Sequence, residues 1–95
     1  MVVIPEWVQV APQQWQSLIQ PMVSSGATYR INWPNQRIVA LCRRFNLPVL
    51  DLLPVLAQAP PGEPLYLKLD GHWTRRGHEV AASAIEAFLR RQQLI

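Results

Sequence analysis

Disulfides are excluded first. The 95-residue chain holds one cysteine, Cys42, so no internal bridge can form, and there is no paired-cysteine or Cys/His spacing of the kind that holds zinc. Charge is also scarce. Charged residues make up 16% of the sequence against 49% hydrophobic, an apolar balance for a chain that buries only about 60–65% of its unfolded surface. Some of that apolar surface is therefore expected to face more protein. No stretch approaches the roughly 18 apolar residues of a membrane span. The opening Met1-Val2-Val3-Ile4-Pro5 has neither a basic lead-in nor a long apolar core, so it does not read as a signal peptide, and the compartment stays undetermined. Nine basic residues outnumber six acids. Six of them fall in separated pairs, Arg43-Arg44, Arg75-Arg76 and Arg90-Arg91, with no basic run or aromatic–basic repeat, so nucleic-acid binding is not indicated.

What is present alternates between extended and helical patterns. Val2-Val3-Ile4, stopped by Pro5, reads as a buried parallel strand that opens without a lead-in. Residues 6–11 read as a loop. Pro12 suits a first helical turn, followed at helical spacing by Trp15, Leu18, Ile19 and Met22. Ser24, Ser25 and Gly26 read as a loop. Pro34 opens a second helix whose Ile38, Leu41, Cys42 and Phe45 predict one buried face. Asn46 suits the left-handed residue beyond its end. Residues 47–53 read as a second buried strand closed by Pro54. The long crossover makes the two strands parallel. Residues 57–64 form a loop and 65–69 a short extended piece. A last helix is capped by Thr74, turns Ala81, Ile85, Phe88 and Leu89 inward, and places Arg90 and Arg91 at its negative end. Gly77 predicts a close approach of this helix to neighbouring backbone. The fold class is α/β.

Both histidines lie in Asp70-Gly71-His72-Trp73-Thr74-Arg75-Arg76-Gly77-His78. A histidine acting as general base needs an acceptor on one ring nitrogen to fix the tautomer and a nucleophile within reach of the other. Asp70 and His72 supply the first half. The loop lies on the side of an open α/β sheet where ligands bind. The second half is not apparent. Ser17 and Ser83 fall in helical patterns, and Ser24 and Ser25 lack a nucleophile context. His78 reads as packing or solvent-facing, Trp73 as a packing or pocket-wall residue, and Asp51 as a loop cap.

The run Leu67 to Ala81 resembles the last conserved block of the SGNH, or GDSL-type, hydrolases, and Leu50 to Pro54 is similar to the strand before it. The resemblance implies a single partial domain over residues 1–95, corresponding to the C-terminal portion of a flavodoxin-like three-layer sandwich, here with two parallel strands and flanking helices. It implies His72 as base and Asp70 as its orienter, no cofactor, no metal, and a substrate that is an ester or an acetylated saccharide. Only Gly71 separates Asp70 from His72, where the commonest family spacing leaves two residues. That form is similar to an O-acetyltransferase-like bacterial branch. The early serine block is absent, so the chain is expected to be inactive alone and to need the N-terminal half of the domain. The alternative is a non-catalytic remnant or interaction module that pairs with another chain, or with its own copy, through an open sheet edge.

Overall fold

Two strands carry the sheet. β1 (Val2–Val3) and β2 (Leu50–Asp51) pair in parallel, Val2 opposite Leu50 and Val3 opposite Asp51. The computed structural model describes residues 1–23, 26 and 29–95. Among these, helices fill most of the remainder: α1 (Trp7–Val10), α2 (Pro12–Gln14), α3 (Trp33–Arg44), α4 (Leu52–Ala57) and α5 (Arg75–Arg91). α2 runs on through a π-helical turn at Trp15–Ile19 and a 3-10 turn at Gln20–Met22. The architecture is the mixed α/β unit expected, with parallel strands and flanking helices. No described helix is long and apolar enough to cross a membrane. Ser24 and Ser25 lie outside the described residues.

Three expectations need correction. Residues 6–11 are not a loop, because Trp7–Val10 is helical. The Gln9 side chain reaches back to the Glu6 N–H at 2.8 Å and satisfies a donor at the helix start. The second strand is shorter than the 47–53 pattern predicted. It ends at Asp51, whose carboxylate accepts the Leu53 N–H at 3.0 Å and starts α4. Pro54 thus sits in the first turn of a helix, where its missing N–H costs nothing, instead of closing a strand. Finally, the apolar face of α3 is mostly uncovered. Cys42 is buried, but Ile38, Leu41 and Phe45 are 40%, 56% and 62% exposed.

The core lies between α4 and α5. Leu52, Leu56, Tyr66 and Ala81 form its centre, with Trp7, Val10, Leu50, Trp73 and Ile85 packed around them. Leu52 and Leu56 are almost fully enclosed, and each contributes about 2 kcal/mol by removal from water. Asn46 adopts φ 54, as its place after α3 predicts. Thr74 caps α5, its Oγ1 accepting the Gly77 N–H at 3.2 Å. Gly77 faces the carbonyl oxygen of Leu65, and the position of a Cβ would fall inside contact distance of that oxygen.

Candidate active site

The segment from Leu65 to Thr74 folds back on itself as a tight hairpin. Tyr66 and Trp73 bridge in antiparallel fashion. The Leu67 N–H donates to His72 O at 2.7 Å, and the Thr74 N–H donates to Leu65 O at 2.9 Å. The chain reverses through Leu69 at φ 63 and Gly71 at φ 79. Glycine adopts such a φ freely, whereas for Leu69 it is a strained backbone held in place by the hairpin bonds. The base of the hairpin is anchored to the start of α5 by Thr74 Oγ1, which donates to Pro64 O at 2.6 Å. Its side is anchored to β1 by the Tyr66 hydroxyl, which donates to Pro5 O at 3.3 Å.

This framework brings Asp70 and His72 together. His72 Nδ1 is hydrogen-bonded to Asp70 Oδ1, and the same oxygen accepts the His72 main-chain N–H at 3.3 Å. The hydrogen bond to Asp70, reinforced by its charge, holds the His72 imidazole pKa above its usual range. The hydrogen bond from His72 likewise holds the Asp70 carboxyl below its usual range. With Nδ1–H committed to the carboxylate, Nε2 is the nitrogen left to accept a proton. The His72 side chain is 82% exposed, so that nitrogen is accessible.

His72 lines a cleft of about 430 Å³ with Ile4, Pro5, Glu6, Tyr66, Trp73 and His78. Ile4 to Glu6 follow directly on β1, so the cleft opens at the carboxyl end of that strand. Trp73 forms part of its wall, and His78 stands edge-on to the Trp73 ring with centroids 5.3 Å apart. Two cleft residues were missed in the sequence. Burial pushes the Tyr66 hydroxyl pKa up, while the Trp73 side chain acts in the opposite direction and the Glu6 charge adds a smaller upward push. Nothing local to Glu6 signals its place, because the cleft joins segments far apart in the chain. Ser17 and Ser83 are not brought to the cleft. Ser17 Oγ donates to Gln13 O within its own helix, and Ser83 is exposed on α5.

A second polar centre was also missed. Asn35 is the one buried polar residue among those described, at 4% exposure. Its Nδ2 donates to Asp51 Oδ1 at 3.0 Å, and its Oδ1 accepts from Gln9 Nε2 at 2.8 Å. Asp51, expected to cap a loop, instead caps α4 and joins α3 to β2.

A parallel α/β unit with an Asp–His pair on the hairpin beside a strand's carboxyl end has the character of an SGNH hydrolase-like domain. The family model described as ALGX, SGNH hydrolase-like domain, acetyltransferase AlgX, matches residues 1–95, and the chain belongs to that family. No curated protein and no solved structure matches the chain. Membership assigns the chain a function of the acyl- or acetyl-handling SGNH-like kind.

Proposed function

We propose that His72 is the general base of an ester-hydrolysing or acetyl-transferring site, and that Asp70 is its orienting carboxylate. In this reading Nε2 takes the proton of a hydroxyl as that oxygen bonds to the acyl carbon. It returns the proton to the departing alkoxide as the old ester bond breaks. Asp70 fixes the ring with Nε2 outward and stabilises the imidazolium that forms between the two transfers. The substrate is an ester or an O-acetylated saccharide. The hydroxyl is not supplied by a serine among the described residues of the cleft's lining.

One observation carries the reading: the imidazole is hydrogen-bonded to a carboxylate through one nitrogen, its side chain is otherwise exposed, and the residue lines a cleft at a strand's carboxyl end. The test supplies an alcohol in place of the missing hydroxyl. Acetyl transfer from nitrophenyl acetate to glycerol is followed with the 95-residue chain. The expected result is a transfer rate that falls to the buffer rate in His72→Ala and persists in His78→Gln. A rate untouched by His72→Ala ends the assignment.

A second reading, a binding module without chemistry of its own, draws on the uncovered apolar face of α3. It predicts no transfer above the buffer rate in any variant.

A further inference from the structure

The net charge of the chain is unevenly placed. Residues 1–50 hold four arginines and one acid, Glu6, whereas residues 51–95 balance five basic residues against five acids. The whole net charge of +3 therefore belongs to the first part, and three of its four arginines, Arg37, Arg43 and Arg44, lie on α3. All six acids fall among the described residues, and the ion pairs found there use His72, Arg75 and Arg90. No arginine of α3 has a carboxylate partner among them.

The same helix leaves its apolar side bare. α3 turns Asn35 and Cys42 inward. Ile38, Leu41 and Phe45 follow one another at helical spacing as an exposed stripe, and Arg37 and Arg44, two turns apart, form a basic stripe beside it. The two stripes meet in a surface groove of about 300 Å³ lined by Arg37, Ile38, Ala40, Leu41 and Arg44. Aromatic rings sit at both guanidinium groups. Arg37 lies over Trp33, 5.4 Å from the ring centre, and Arg44 over Phe45 at 5.9 Å. Trp33, 48% exposed, is the one tryptophan of four on the open surface.

We propose that this face of α3 lies on an anionic lipid surface, with Arg37 and Arg44 on the phosphate headgroups and Trp33, Leu41 and Phe45 dipping into the boundary with the acyl chains. The helix lies along the surface and does not cross it. Guanidinium groups pair with phosphate oxygens two bonds at a time, and tryptophan settles at headgroup depth. A basic helix with an apolar stripe gains from both layers at once. A nucleic acid offers the same phosphates but no apolar layer for Leu41 and Phe45. A protein partner is disfavoured by size. α3 has 12 residues and is about 18 Å long. A strip of that length and one helix wide covers far less than the roughly 800 Å² that each partner of a stable complex buries. A lipid surface needs no such area, because each arginine adds its own attraction to the headgroups. Nothing in this depends on the role of His72.

The probe is a pair of vesicle preparations, one of phosphatidylcholine alone and one of two parts phosphatidylcholine to one part phosphatidylglycerol, sedimented with the 95-residue chain at low salt. The expected result is binding to the mixed vesicles at least about tenfold tighter than to the neutral ones, weakening as salt is raised. Tryptophan emission moves to shorter wavelength on binding, and Trp33→Phe removes most of that shift. Arg37→Gln combined with Arg44→Gln weakens binding about thirtyfold. Arg90→Gln combined with Arg91→Gln removes the same charge from the far end of α5 and leaves binding within about twofold of the parent. Leu41→Gln, at an exposed position, weakens binding severalfold with an unchanged circular dichroism spectrum. The parent chain decides first: no binding, or equal binding to the two preparations, overturns the proposal. So does an α5 pair that loses as much as the α3 pair, which would make the effect one of net charge alone. Undiminished binding of Leu41→Gln, or an emission shift that grows with protein concentration without vesicles, overturns it as well.

Discussion

Gly77 and the carbonyl of Leu65 meet so closely that no side chain fits between helix α5 and the hairpin that carries His72. A helical glycine replaced by alanine ordinarily gains up to about 1 kcal/mol from backbone entropy. Here the added methyl meets backbone and the Trp73 ring, neither of which yields cheaply. Gly77→Ala is therefore expected to destabilise the chain by about 2 kcal/mol, the cost of overpacking outweighing the helix gain. Urea denaturation measures this, and an unchanged or raised midpoint refutes it.

The Asp70–His72 pair sets a pH window. His72 is raised, so its contribution to stability is complete below the unfolded imidazole pKa and is lost as pH rises through the folded one. Asp70 is lowered, so its contribution is present above the unfolded carboxyl pKa and is lost as pH falls through the folded one. The ion pair is thus complete between the normal carboxyl and normal imidazole ranges. NMR titration should show His72 titrating above the ordinary imidazole range. In Asp70→Asn, His72 should return to the ordinary imidazole range. If transfer depends on neutral His72, its rate should rise with pH through the raised value and shift to lower pH in Asp70→Asn.

Asn35, Asp51 and Gln9 act as one unit. Asp51→Ala removes the α4 cap and leaves the buried Asn35 amide without its acceptor, at an expected cost of about 2 kcal/mol. Asn35→Ala should cost about 1–3 kcal/mol for the broken buried hydrogen bonds. The double variant should lose less than the sum of the two, by about 1 kcal/mol, because each single change already breaks the shared bond. Strict additivity in a thermodynamic cycle would contradict the coupling.

Two leucines separate core from surface. Leu56 is 2% exposed and sits at the centre of the α4–α5 contact, so Leu56→Ala should cost about 3 kcal/mol. Leu41 is apolar and helical but open to solvent, so Leu41→Ala should stay within about 0.5 kcal/mol of the parent. Thermal unfolding of the pair checks both, and equal losses would place Leu41 in the core.

Local features were legible in the residues. Thr74 as a cap, Asn46 as a left-handed stop and Gly77 as a close approach each depend on a few neighbouring atoms, and each is found. Asp70 and His72 were legible as a pair for the same reason, with one residue between them. Leu50 to Leu53 was not. Its apolar run suits a strand or a helix equally, and the Asp51 carboxylate on the Leu53 N–H decides between them. The start of α1 was written in Glu6 and Gln9, but the capping pair is Glu-x-x-Gln and lacks the usual small polar residue at its head. The cleft could not be read at all. Tyr66 and Pro5, which join its two walls, are 61 residues apart.

The lone thiol has a use that follows from its place. Cys42 is 4% exposed and faces the cleft beside β1, under a helix whose outer residues are bare. At 4% exposure it reacts slowly with a thiol reagent, and faster when that helix lifts away from the strand. Its labelling rate is therefore a clock for the opening of a single joint, readable without adding any other probe to the molecule.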